Sequence, residues 1–447
     1  MRITSTASYF ILTLALATLF ADAASTDEQA YLGNGIKIGE VTSTSAIIWT
    51  RLTAKPDCPP PEFKQPGSEG RVVLTVTPLG DGKPVVHEAN VDPEHDCAHQ
   101  FKLTDLRPDT SYWLRLAVDG QPRAEMHGHF TTAPVADQPA DVSFVVTTGH
   151  KYATIDEQGK GQRIYRSMLD LQPSFFVHTG DIVYYDGDVK PLARSVPEAR
   201  LHWHRMYALP NQIEFHRQVP SYFIKDDHDT LKNDCWPGQS YGDLTFAQGQ
   251  ALFREQVPMG EKTYRTVRWG KDLQIWLPEG RDFRSPNKMP DGPDKTIWGK
   301  EQIDWFKRTV DASDAAFKIV VNATPIVGPD RARGKNDNHA NDAFAHEGRM
   351  LRRFMADREM VVCNGDRHWQ YHSVDEKTGL NEFSCGPSTN RHSGGWNPKN
   401  KTDAHRFLRV RGGFLSVDVQ RIDGQPTATF RHHDVDGKVV NEVRMTR

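Results

Sequence analysis

Apolar positions along the chain fall into two regimes that change near residue 140. Between residues 31 and about 134 they form short β-rich runs, such as 45–51 and 72–77. Tyr112, Leu114, Leu116 and Val118 occupy every second place in a third run. Turn residues separate the runs at the spacing of a β-sandwich. This predicts a small all-β module of fibronectin-type-III-like or immunoglobulin-like kind, followed by a linker from Pro134 to Pro139.

From residue 141 strands alternate with helices. Residues 142–146 and 175–178 are continuous apolar runs, and Leu273, Ile275 and Leu277 alternate. Residues 319–321 and 360–363 read as buried strands. Ile164, Met168 and Leu171 sit at helical spacing, as do Ile303, Phe306 and Val310 after Gly299, and Met350, Leu351 and Phe354. The pattern predicts α/β layers. It ends in a β meander from Phe414 that turns at Asp423-Gly424 and Asp436-Gly437. Two stretches, 187–260 and 331–345, show little periodicity and are expected to be binding loops or lids.

The first residues have the form of an export signal: Arg2, an apolar stretch at 10–20 too short to span a bilayer, and Ala21-Asp22-Ala23 as cleavage site. The expected organisation is a signal peptide at 1–23, a β-sandwich domain at 24–134 and a catalytic domain at 141–447. The protein is then secreted or periplasmic, with no membrane span. A formal charge of -3, with acids and bases interspersed, offers no basic face and argues against a nucleic-acid-binding module. Five cysteines include no Cys-x-x-Cys, which disfavours a thiolate zinc site. Cys58 and Cys97 are a candidate disulfide.

The chemistry collects just past the predicted strands. Thr148-Gly149-His150 follows the first, Gly180-Asp181 with Tyr184 the second, and Asp226-Asp227-His228-Asp229 a third. Asn322 ends a fourth, and Gly365-Asp366-Arg367-His368 follows a fifth. The ends of parallel strands open into one crevice, so these groups can meet although two hundred residues apart. Clustered aspartates raise one another's pKa, and cations relieve the repulsion. Carboxylate, amide and imidazole suit iron, manganese, calcium or zinc. Asp181 could bridge two such ions, and the phenol of Tyr184 would favour a ferric one. Each residue has a plain alternative: Asp227 as a turn cap, His228 and His368 as ordinary hydrogen-bonded histidines, His150 as part of a common Gly-His turn, Asn322 as a strand end, and Arg284 paired with Asp282. Three acid-bearing strand ends, two of them with histidine, are hard to obtain from turn chemistry alone.

With those residues in hand, the chain resembles the alkaline phosphatase D (PhoD-like) metallophosphatases over nearly its whole length. Trp49-Thr50-Arg51-Leu52 is similar to a segment of that family's N-terminal module, Gly180-Asp181-Ile182-Val183-Tyr184 to its GDxxY motif, and Asp226-Asp227-His228-Asp229 to DDHE. Asp282-Phe283-Arg284 resembles an Asp-x-Arg segment, and Gly365-Asp366-Arg367-His368 matches GDxH. The resemblance implies a metallophosphatase fold, with βαβ layers around a two-sheet core. It implies a bridging Asp181, an iron-ligating Tyr184, and Asp227, Asn322, Asp366 and His368 as further ligands. His228 would stand at the leaving group and Arg284 at the phosphate. Two or more metal ions, iron plus calcium, would then hydrolyse a small phosphate-ester substrate by metal-activated hydroxide. One departure stands out. Gly149 occupies the place where the family usually has an iron-binding cysteine, so either His150 substitutes or the first metal lacks a ligand. Two other readings stay open: hydrolysis of sulfate or other esters on the same fold, and a non-enzymatic surface protein with a degenerate site. No Cys-x-Pro-x-Arg is present, which disfavours the formylglycine sulfatase mechanism.

Overall fold

The computed structural model describes residues 29–331 and 337–447. The expected signal peptide lies outside the described residues, as do residues 332–336 of the Asn- and His-rich stretch.

Seven strands come first: β1 (Ile36–Gly39), β2 (Ala46–Arg51), β3 (Arg71–Pro78), β4 (Val85–Asn90), β5 (Ala98–Leu103), β6 (Ser111–Val118) and β7 (Gln121–Thr131). In β6 the four alternating apolar residues are buried and Trp113 and Arg115 between them are exposed, the period-two pattern of a strand with one dry face. The sheet β4-β3-β6-β7 packs on a second layer of β1, β2 and β5. That second layer does not close on itself. β1 runs parallel to a later strand through one rung, Gly39 opposite Ser221, so the module's sheet continues into the larger domain. Trp49 and Arg51 fasten the join. The indole Nε1 of Trp49 donates to the Glu255 carbonyl at 2.7 Å. Arg51 is buried, 3.0 Å from Asp96 Oδ1, and Asp96 Oδ2 lies 2.5 Å from His204 Nε2.

The larger domain follows as β8 (Val142–Thr147), α1 (Ile164–Leu169), β9 (Phe175–His178), α2 (Val196–Tyr207), α3 (Pro210–His216) and β10 (Ser221–Phe223). A two-strand ribbon, β11 (Ser240–Tyr241) and β12 (Leu244–Thr245), leads to α4 (Phe246–Gln256). Then come β13 (Arg265–Trp269), β14 (Leu273–Leu277), α5 (Lys300–Asp311), β15 (Phe317–Asn322), α6 (Ala345–Ala356) and β16 (Val361–Asn364). The chain closes with β17 (Gln370–Val374), β18 (Asn381–Cys385), β19 (His405–Arg409), β20 (Gly413–Ile422), β21 (Gln425–Asp434) and β22 (Val439–Thr446).

Two mixed sheets result, ordered β22-β21-β20-β8-β9-β10-β1-β2-β5 and β13-β14-β15-β16-β18-β17-β19. Phe175, Val177 and Leu415 of the first meet Ile275, Ile319, Cys363 and Phe383 of the second in one apolar layer. Side chains alternate along a strand, so Val145 and Phe176 point the other way, under α1 and α3, and Val320 and Val362 lie under α5 and α6. Full burial of each such side chain contributes about 1.5–3 kcal/mol. The stacked Phe175 and Trp269 rings, 4.9 Å apart, belong to this layer. Two parallel runs matter for function: β8-β9-β10 in the first sheet, and β14-β15-β16-β18 in the second. Their carboxyl ends share one edge, where a bridge between Thr148 and Pro387 ties the sheets together.

The stretch 187–260 is not an irregular loop, because it holds α2, α3 and α4 around Trp203, Met206 and Phe253. The buried face of α2 also carries His202, His204 and Arg205, each held by a polar partner. That face therefore shows no apolar stripe in the sequence. All five cysteines are buried and free, so Cys58 and Cys97 are not joined, and the Cys58 thiol donates to the Phe63 carbonyl.

Buried neutral imidazoles set an acid limit on this fold. Burial pushes His150, His202 and His432 down to about 3, and His178 and His216 well below the ordinary range. The unfolded chain protonates these groups near pH 6.5 and the folded one does not. Stability therefore falls as pH drops below about 6.5, by about 1.4 kcal/mol per pH unit for each imidazole. Asp181, Asp226 and Asp229, raised by burial, pull the other way, but the histidines outnumber them. Thermal melts between pH 7.5 and 5 should show a falling midpoint; a flat profile would mean the imidazoles accept protons inside the fold.

Candidate metal centre

Sharp turns at the strand ends build the site. After β9, Gly180 takes a φ of 96°, and a Cβ there would lie 2.6 Å from the Asp226 Cβ. Glycine lets the loops after β9 and β10 touch. Asp181 and Asp366 both adopt left-handed backbone, at φ 57° and 60°, a conformation that aspartate tolerates better than most residues. Both turns send a carboxylate back across the sheet edge.

Asp181, Asp227 and His228 each bring one ligand atom within 4.8 Å of the other two. The Tyr184 hydroxyl donates to Asp181 Oδ2 at 2.8 Å and lies 3.4 Å from His368 Nε2. His368 Nε2 is 3.9 Å from the same carboxylate oxygen. Asp366 is close enough to raise Tyr184 and Asp226 electrostatically, and Arg367 holds its Oδ2 at 2.8 Å. Asn322 donates its amide to the Thr324 carbonyl at 2.6 Å, which turns its oxygen the other way. The structure thus gathers Asp181, Tyr184, Asp227, His228, Asp366 and His368 at one edge, with Asn322 at the neighbouring strand end.

The electrostatics of this cluster call for positive charge. Burial and the Asp227 carboxylate push Asp181 up to about 6, although His228, Tyr184 and Arg281 oppose the rise. Burial also holds Tyr184 well above the usual phenol range, with Asp181 adding to it. His228 goes the other way. Burial disfavours its charge, yet Asp227, Asp181 and Asp186 hold it at about 10. Among the described residues, Asp181 Oδ1, Asp226 Oδ2 and Asn322 Oδ1 are buried here with no hydrogen-bond donor. An unsatisfied buried oxygen costs roughly 1–3 kcal/mol, more if charged, and a bound cation removes that cost. The donor set, carboxylates with an amide oxygen, a phenol and imidazole, fits hard to borderline metals.

His150 does not join the cluster. Gly149, at φ 66°, turns the chain so that the imidazole packs on Tyr165 under the helices, ring centres 5.3 Å apart. The Gly180 amide donates to His178 Nδ1, so His178 Nε2 carries a proton and donates it to His150 Nδ1 at 2.6 Å. That bond uses the lone pair of His150 and leaves its proton on Nε2. The expectation that His150 replaces a missing ligand is therefore corrected. Arg284 is not paired with Asp282, which bonds Lys225 and Gln250. It is buried, bonded to Asn287 Oδ1 and the Asp337 carbonyl, and close enough to feel Asp226 and Asp227.

Three residues escape a reading of the sequence. Asp186 accepts from His228 Nδ1 at 2.6 Å and from the Asn233 amide, fixing the ring. Arg281 donates to Asp226 Oδ1 at 2.6 Å and reaches Asp227 Oδ2 at 3.9 Å. Their signal was position only: Asp186 lies two residues past Tyr184, and Arg281 three before Arg284. The third, His392, lies in the loop after β18, its ring centre 4.0 Å from that of His368 and 5.3 Å from that of Tyr184.

Comparison with known proteins gives the following. A family model described as PhoD-like phosphatase matches residues 144–411, and one described as PhoD-like phosphatase, N-terminal domain, matches residues 18–134. A solved structure described as "Structure of PhoD" is 17% identical, with a TM-score of 0.74, covering 93% of this chain and 89% of that one. The purple acid phosphatase PPD1 from yellow lupin (Lupinus luteus) seeds is 14% identical with a TM-score of 0.66, covering 92% of this chain and 74% of that one. At these identities the likeness to both is one of fold. No curated protein matches the chain.

Proposed function

The chain belongs to the PhoD-like phosphatase family, a metal-dependent phosphatase, and from that membership we propose that it hydrolyses small phosphate esters outside the cytoplasm with two metal ions. The observation that carries the reading is the meeting of Asp181, Asp227 and His228, beside buried oxygens that no donor satisfies.

In this reading Asp181 would supply a carboxylate to both ions. Tyr184 and His368 would hold one, iron, and Asp227, Asn322 and Asp366 the other, calcium; zinc or manganese are the alternatives. When bound, the metals supply a water nucleophile acidic enough to ionise at neutral pH, and positive charge for the phosphoryl oxygens. The chain's own groups do the rest. Asp186 occupies His228 Nδ1, so the Nε2 proton is the one available to the departing oxygen. Arg284 Nη1, buried without a partner, neutralises charge on the phosphate. Arg281 holds Asp226 and steadies the Asp227 turn. No helix among the described residues is long and apolar enough to cross a membrane, and export rests on the N-terminal signal.

The test is elemental analysis of the purified protein, with parallel assays on aryl phosphate monoesters, diesters and sulfates. Two metals per chain and phosphate-ester hydrolysis that a chelator abolishes are expected. A chain without stoichiometric metal, or one that prefers the sulfate, sinks the proposal.

A further inference from the structure

We propose that His392, from the loop after β18, completes the metal centre at the end of β8 through its Nε2. The inference rests on the reading that this site holds metal, and goes beyond it by naming a ligand on an element that no motif marks.

Four observations carry it. The first is the ring's position. It packs against His368, with centres 4.0 Å apart, and meets Tyr184 edge-on at 5.3 Å. Those two residues also flank the Asp181 carboxylate.

The second is the tautomer. His392 Nδ1 lies 3.0 Å from the Gly149 carbonyl oxygen. A carbonyl only accepts, so the proton sits on Nδ1 and the lone pair on Nε2. This is the arrangement that metal-bound histidines use, with the far nitrogen donating to a backbone carbonyl to fix the ring.

The third is the space at residue 149. A Cβ built on Gly149 would come 3.3 Å from His392 Nδ1 and 3.4 Å from the Pro387 Cβ. The left-handed φ of 66° is a second obstacle to a side chain there. The end of β8 contributes no side chain to the cluster at this position, and the His392 ring fills the room.

The fourth is anchoring. Thr148 and Pro387 form a parallel bridge between the sheets, Ser388 N donates to the Thr148 carbonyl at 3.1 Å, and Ser388 Oγ donates to the Gly149 carbonyl at 2.8 Å. The Gly412 amide donates to Asn390 Oδ1 at 3.1 Å. His392 is thus carried on a loop pinned on both sides, and a ligand needs that rigidity to be preorganised.

The experiment compares purified wild type with His392→Gln, measuring metal per chain after long dialysis and the rate at which a chelator removes it. Glutamine can still donate to the Gly149 carbonyl but offers no imidazole nitrogen. The expected result is loss of one of the two metals, or release of one at least about tenfold faster. With chelator present the two proteins should melt together, which separates ligation from a packing role. If the Gln chain does not fold, His392→Asn is read in the same way. Retention of both metals at the wild-type release rate overturns the proposal. A wild type that holds no metal instead overturns the reading of the site itself, so the two failures are distinct.

Discussion

Asp181→Asn is expected to lower kcat/KM by roughly a thousandfold, the equivalent of about 4 kcal/mol of transition-state stabilisation. Asparagine keeps the shape and can still accept from the Tyr184 hydroxyl, so the change removes charge and little else. The carboxylate is the group that Tyr184, His368 and Asp227 surround, and without it the metal content per chain should fall as well. A second readout runs against intuition. Without metal this carboxylate is buried and disfavoured, its pKa pushed up to about 6 by burial and by Asp227. The neutral amide removes that penalty. In chelator, then, the variant should melt at or above the wild-type temperature while being nearly inactive. Full activity, or a variant that unfolds in chelator while wild type does not, contradicts the bridging role.

His228→Gln is expected to be selective where Asp181→Asn is not. A proton donor at the leaving oxygen is worth about a hundred- to ten-thousandfold, and its value depends on how badly the leaving group needs the proton. Alkyl phosphates should lose the full amount, and aryl phosphates with acidic phenols much less. A plot of log kcat against leaving-group pKa should steepen. The metal content should hold, because Asp181, Tyr184, Asp227, Asp366 and His368 stay in place. An equal loss on all substrates would move His228 from leaving-group chemistry to metal binding, which its position within 4.8 Å of Asp181 and Asp227 also permits.

Much of the architecture could be read along the chain, since local periodicity is enough where one face is dry. The strands at 142–147, 273–277 and 317–322 and the helices at 300–311 and 345–356 stand where the apolar pattern puts them. The helices α2 to α4 were not legible, because α2 buries His202, His204 and Arg205 by pairing them rather than by being apolar. Nor was the join of the N-terminal module to the main sheet. It depends on one rung between Gly39 and Ser221, 182 residues apart on the chain, and no local pattern encodes such a contact.

The candidate centre divides in the same way. Which strand ends carry acids and imidazoles was written in the motifs around Asp181, Asp227 and Asp366, because a strand followed by a turn is a local event. Which of those groups face one another is a matter of three dimensions. One glycine, Gly149, turns His150 away into the helix layer. A loop 243 residues further on brings His392 to the same carbonyl. The sequence names most of the candidate donors and the structure decides which of them meet, because turn handedness and sheet pairing, rather than residue type, decide which side chains share a crevice.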